Sequence, residues 1–270
     1  MTDEATGYRG YNQAELDLQY SPSSRVDDIR VYLAEYAERS AEARRILPAH
    51  LDLPYGAEPW QRFDYFPALR PNAPLHVFVH GGFWQQLDKS DSSFPALAFV
   101  PAGMAFAALG YGLAPEHSLD SIVADVRAGL RHLAGTLADL PGSPTSIHLS
   151  GHSAGAHLVA MALTDSPGVF ASATLISGVY DLEPVRHTYV NDAVGMDADS
   201  ARRNSPLFAL PDRLPPLVVA VGEHETDEFG RQHADFVAAA RARGADVRDM
   251  VVPGRNHFDL PFDLGSPGLP

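Results

Sequence analysis

From residue 75 onward the chain alternates short β-forming runs with stretches of helical period, and this alternation limits its fold more than any other feature. The runs are 75–79 (LHVFV), 104–109, 146–150, 171–177, 217–221 (LVVAV) and 247–252. The first reads as a strand buried on both faces, because it lacks the polar positions of a strand with one wet side. Between the runs, residues 118–138 place Ile122, Val126, Leu130, Leu133 and Leu137 at three- and four-residue spacing, the stripe of a helix lying on a sheet. Residues 154–164 and 228–243 also read as helices, and another is expected around 90–100. Strand, helix and strand in repeated succession predict an α/β fold: a mostly parallel central sheet with helices on both faces. A chain of 270 residues is within the range of one such sheet, so a single domain over 1–270 is expected.

Two segments fall outside the alternation. An N-terminal extension of about 60 residues precedes it. Its first 25 residues are polar and turn-rich and are expected to wrap the surface, and 26–47 offers a helix with Ile29, Leu33, Tyr36 and Ala43 on one side. A strand is expected at 62–66. Residues 178–216, mixed in polarity and rich in proline and glycine, read as a lid-like insertion over the sheet edge.

Composition narrows the function classes. Twenty basic against 34 acidic side chains give a formal charge of -14, which argues against nucleic acid or an anionic membrane as partner. The absence of cysteine excludes disulfides, thiolate nucleophiles and cysteine-bound metals. The uncharged run 94–115 contains three prolines and three glycines, and so reads as a helix end, a strand and a turn rather than a membrane span. The first ten residues lack the apolar core of a secretion signal, and a cytoplasmic protein acting on a small molecule is expected. A homodimer is compatible with the composition, which does not decide the oligomeric state.

Between the run at 146–150 and the helix at 154–164 stands Gly151-His152-Ser153-Ala154-Gly155, a G-x-S-x-G sequence. A serine hydroxyl is a weak nucleophile, and a sharp strand-to-helix turn is one way to expose it beside a base and a helix N-terminus. Ser153 is therefore the candidate nucleophile. The base is expected in the loop after the last strand, which selects His257 from the twelve histidines. The acid that orients it is expected just past 217–221, where Glu223, Glu225, Asp227 and Glu228 crowd together. Glu225 is preferred, being off the strand but not yet in the helix; Asp227, nearer the helix start, is the alternative. For the oxyanion, His80-Gly81-Gly82-Phe83-Trp84 follows a strand, and the expected donors are the backbone N–H groups of Gly82, Phe83 and Ala154, with Gly81 in reserve. Trp84 and Phe83 are expected to close one side of a pocket, with Tyr180, Tyr189 and Phe208 contributing an apolar wall. His76 and His148, within strands, read as packed side chains, and no histidine has metal-ligand spacing with carboxylates.

Taken together, HGGFW, GHSAG, the 222–229 stretch GEHETDEF followed by Arg231-Gln232, and Asn256-His257-Phe258-Asp259 resemble the arylformamidase (kynurenine formamidase) branch of the α/β-hydrolases. Gln19-Tyr20-Ser21-Pro22, Leu53-Pro54-Tyr55-Gly56 and Asp88-Lys89-Ser90-Asp91 extend the likeness over nearly the whole chain. The resemblance implies an α/β-hydrolase fold. It also implies hydrolysis of N-formylkynurenine to kynurenine and formate, or of related esters and amides, without metal or organic cofactor. Many relatives carry aspartate where this chain has Glu225, and a closing helix after the catalytic loop, where this sequence runs only from Asp259 to Pro270.

Overall fold

The computed structural model describes residues 8–166 and 168–269. Eight strands form one sheet: β1 (His50–Pro54), β2 (Arg62–Phe66), β3 (Leu75–Val79), β4 (Ala105–Leu109), β5 (Ile147–His152), β6 (Ser172–Ile176), β7 (Leu217–Gly222) and β8 (Val247–Val252). Their order across the sheet is β1-β2-β4-β3-β5-β6-β7-β8. β2 runs antiparallel to both β1 and β4, and every later pairing is parallel. The helices are α1 (Gln13–Gln19), α2 (Ile29–Ile46), α3 (Ala96–Phe99), α4 (Leu119–Thr136), α5 (Ala154–Leu163), α6 (Glu183–Arg186), α7 (Asn191–Val194), α8 (Ala198–Arg203) and α9 (Asp227–Ala242).

Strands β3 and β4 are buried at every residue, which fits their central positions and their sequences without polar alternation. One core lies under α4, α5 and α9 and contains Leu75, Val77, Ile122, Leu130, Val159 and Phe236; a smaller one on the opposite face gathers Phe66, Phe78, Phe99 and Phe106. Among the described residues no helix is long and apolar enough to cross a membrane.

The structure changes or refines four expectations. The helix expected around 90–100 breaks into a 3-10 turn, Lys89–Asp91, and the single turn of α3. Pro95 stands between them, and proline disfavours helical geometry at the residue before it and supplies no N–H of its own. β1, absent from the sequence reading, is an exposed five-residue edge strand with a register irregularity and Asp52 at φ 57°. The insertion 178–216 joins the inner neighbours β6 and β7 and folds into the short helices α6, α7 and α8. Finally, residues 12–25 are anchored rather than draped, with Leu16 and Tyr20 fully buried in the main core.

Candidate active site

β5 ends at His152, α5 begins at Ala154, and Ser153 makes the turn between them with φ 55° and ψ −122°. Such backbone is strained for a residue with a Cβ, and it persists only where the surroundings fix it. Here the fixing is steric. A Cβ on Gly151 would stand 2.3 Å from the Gly155 carbonyl oxygen, and one on Gly155 would stand 2.0 Å from that of Val79. The two outer glycines of the motif let the strand, the turn and the neighbouring β3 close to backbone contact. Gly81 fits behind the serine in the same way, its missing Cβ 3.0 Å from Ser153 Cβ.

The candidate acid and base follow the ends of β7 and β8. His257 Nδ1 donates to Glu225 Oε2 at 2.7 Å. Glu225 Oε1 accepts from the Ser177 hydroxyl at 2.6 Å and the Gly222 N–H at 2.8 Å. Both partners are buried, Glu225 at 8% and His257 at 3% exposure, so the carboxylate exchanges water for three donors. Close packing joins the two loops, since a Cβ on Gly222 would meet the Arg255 carbonyl oxygen at 2.5 Å. The Phe229 ring stands edge-on to His257 at 4.7 Å. Asp227 is the first residue of α9, is exposed, and makes no contact with His257.

The loop after β3 carries consecutive residues in the left-handed region: Gly82 at φ 97°, Phe83 at 48° and Trp84 at 61°. The N–H groups of Gln85 and Gln86 both donate to the Gly82 carbonyl, at 2.9 and 3.0 Å, closing a tight turn. Gly82 is required there, because a Cβ would lie 2.2 Å from the Gln86 carbonyl oxygen.

Ser153, His257, His152, Gly82 and Phe83 line one cavity of about 190 Å³. Its other walls come from distant parts of the chain: Pro22 and Ser23, Ile29, Leu33 and Tyr36 of α2, Gln85 to Leu87, Tyr189 and Val190 of the insertion, and Phe258. The lining is mostly apolar and holds no Asp, Glu, Lys or Arg side chain.

Three expected pocket residues lie elsewhere. Trp84 is fully buried and donates its indole N–H to His157 Nδ1 at 3.2 Å; the left-handed backbone at Phe83 and Trp84 turns the indole into the core. Tyr180 is also fully buried, its ring stacked on Phe236 at 4.0 Å. Phe208 does not line the cavity either, whereas Tyr189 does.

Comparison with known proteins fits this geometry. A kynurenine formamidase from Danio rerio is 33% identical over 94% of this chain and 92% of its own length. The chain belongs to the kynurenine formamidase family. A family model described as BD-FAE matches residues 65–173, from β2 to β6. The carboxylesterase NlhH of Mycobacterium tuberculosis is 37% identical over 74% of this chain and 71% of its own. A solved structure of a suggested thioesterase from Silicibacter sp. tm1040 superposes with a TM-score of 0.82 at 30% identity, covering 94% of this chain and 95% of that one. The protein is an α/β-hydrolase that acts on a formamide or an ester.

Within this kynurenine formamidase family member, an inner ring of neutral histidines surrounds the elbow. His152 Nε2 donates to the His257 carbonyl at 2.8 Å; burial holds its pKa well below the ordinary value, and the nearby His257 adds to the effect. His157 accepts from Trp84 on Nδ1 and donates from Nε2 to the Asn204 carbonyl at 2.7 Å, an arrangement that requires the neutral ring, and burial lowers it to about 4. His80, stacked on Tyr111 at 4.2 Å, is likewise lowered by burial to about 4. The sequence reading missed Ser177 and the α2 residues of the cavity wall. Ser177 follows the strand next to the elbow strand, and such strand ends are where α/β folds place functional groups.

Proposed function

We propose that the protein hydrolyses a small aryl formamide, N-formylkynurenine first among them, through a formyl-enzyme on Ser153. The single observation that carries this is the buried Glu225–His257 pair at 2.7 Å, with His257 and Ser153 on the wall of the same cavity. In this reading His257 Nε2 takes the proton of Ser153 Oγ as that oxygen attacks the formyl carbon. Glu225 holds the ring by Nδ1 and stabilises the imidazolium. The negative charge on the formyl oxygen falls to the N–H groups of Gly82, Phe83 and Ala154. His257 then protonates the leaving aryl amine. Water, activated by the same ring, attacks the formyl ester and releases formate, returning the hydroxyl to Ser153. The reaction so written uses no metal and no organic cofactor.

In this reading Phe83, which lines the cavity with Ser153, bounds the acyl end, and the lining residues Ile29, Leu33, Val190 and Phe258 receive the aryl ring. A second reading, a carboxylesterase for small acyl esters with the same residues, is supported by the likeness to NlhH. Comparing kcat/KM for formyl, acetyl and butyryl anilides separates the two. Each methylene excluded from a tight pocket costs about 1 to 3 kcal/mol, so formyl should exceed butyryl by at least about tenfold. A rate that climbs from formyl to butyryl refutes the formamidase reading in favour of the esterase.

A further inference from the structure

Helix α9 begins two residues after Glu225, and its first turn is capped from outside. Thr226 occupies the cap position but makes no side-chain bond to the helix N–H groups. Its hydroxyl donates instead to the Gln19 carbonyl at 2.6 Å. The Glu228 N–H, second in the helix, donates to Gln19 Oε1 at 3.1 Å, a contact spanning 209 residues. Gln19 thus supplies the acceptor that Thr226 withholds, satisfying an otherwise orphan donor of the helix start. Next to it, the Tyr20 hydroxyl donates to Glu228 Oε2 at 2.8 Å and accepts from Gln232 Nε2 at 3.1 Å, so the end of α1 is anchored to α9 as well as the reverse.

We propose that Gln19 is a positioning residue for the catalytic acid: by fixing the Thr226 and Glu228 ends of the loop, it holds the Glu225 carboxylate on His257. This rests on Glu225 acting as the orienting acid. The carboxylate also accepts from Ser177 and Gly222, but those bonds fix its Oε1 and not the peptide that follows it. Loosening that peptide displaces the carboxylate from Nδ1, which slows the step in which the imidazolium forms and leaves the cavity walls that bind substrate unchanged.

The test uses Gln19→Met, which keeps the length and the main-chain carbonyl that holds Thr226 but loses the side-chain acceptor of the Glu228 N–H, and Gln19→Glu, which keeps an acceptor oxygen, each assayed with a formyl anilide where circular dichroism reports a folded protein. Gln19 is only partly buried, so neither change opens a core cavity. Gln19→Met should lower kcat about five- to tenfold with KM within about twofold of wild type, and Gln19→Glu should recover most of the loss. In a Glu225→Gln background, Gln19→Met should cost nothing further, because groups that act as one unit are not additive. A Gln19→Met enzyme with wild-type kcat, an unrescued Gln19→Glu, or full additivity with Glu225→Gln overturns the positioning role. Wild-type turnover by Glu225→Gln alone overturns the assignment of the acid, and the positioning role with it.

Discussion

Acidification to pH 5 should melt this protein far more readily than its net negative charge suggests. His76, His80 and His157 are 4%, 2% and 0% exposed, and burial lowers them from 6.5 to about 3, 4 and 4. A histidine whose folded value is depressed leaves the unfolded chain to bind the proton first, so stability is complete above the unfolded value and falls as pH drops below about 6.5. At pH 5 each such group withdraws RT ln(1 + 10^1.5), roughly 2 kcal/mol, and the three together roughly 6 kcal/mol. The figure is set by the unfolded side, because the folded values lie well under pH 5 and change it little. That loss is comparable with the ~5–15 kcal/mol total stability of a typical domain. An opposing effect comes from relief of self-repulsion as the charge of -14 is neutralised, but salt screens exposed charges beyond ~10 Å at 0.1 M and buried rings not at all. The assay is the urea midpoint, followed by fluorescence from pH 8 to pH 5 in 0.15 M salt. It should drop steadily below about pH 6.5, and His76→Gln should reduce the pH 5 loss by roughly 2 kcal/mol. A midpoint that is flat across this range would show that these rings are hydrated or ion-paired, refuting the reasoning.

Ser153→Ala should reduce turnover by about a thousandfold or more while the melting temperature holds, and the variant should resist an organophosphonate that labels the wild type. Glu225→Gln should slow turnover far more than Asp227→Asn, whose exposed carboxylate at the start of α9 contributes only ~0.3–1 kcal/mol to helix stability; steady-state kinetics on both decides the ranking. Gly155→Ala should fold poorly or unfold at lower temperature by calorimetry, since its Cβ would stand 2.0 Å from the Val79 carbonyl oxygen. Trp84→Phe should cost about 1–3 kcal/mol in a denaturant titration by leaving His157 Nδ1 without its donor, with a smaller effect on KM because Trp84 is not a cavity residue.

The juxtaposition of Ser153, Glu225 and His257 was legible because its constraints are local. A serine between two glycines, after a strand and before a helix, describes a backbone collision that only glycine avoids, and chain order then points to Glu225 and His257. The sheet from β3 to β7 was legible because short β-rich runs such as LHVFV and LVVAV alternate with helical stretches, while β8, with Arg248 and Asp249, was placed by its position after α9. What the sequence hides depends on direction and distance. An aromatic residue after two glycines can face a pocket or the core, and only the left-handed φ of Phe83 and Trp84 sends the indole inward. Tyr180 was placed in a pocket wall by its position in the insertion, but Phe236, from a helix beyond that insertion, provides its stacking partner. The helical stripe of α2 announced a buried face without naming what it covers, which is the side of the cavity opposite the elbow. β1 carried no strong signal, since a short, wet edge strand next to prolines differs little in pattern from a loop.

The anchoring of α2 also bears on when the enzyme becomes active. The Tyr36 hydroxyl donates to the Phe258 carbonyl across 222 residues, and the Asn256 amide donates to the Tyr32 hydroxyl across 224. Contacts of such sequence separation are among the last to be worth their loop-closure entropy, and they give the native state a high contact order around its own reaction centre. During synthesis the elbow and the sheet up to β6 can be present while the base loop, which supplies His257 and Phe258 to the cavity wall, is still in the ribosome. Until the final residues emerge, the early helix can rest on the 90–94 segment, where Tyr36 stacks on Phe94 and Ser40 accepts from the Phe94 N–H, but its bonds to Asn256 and Phe258 are missing. With His257 as the base of the proposed reaction, hydrolysis begins only when both ends of the polypeptide have met.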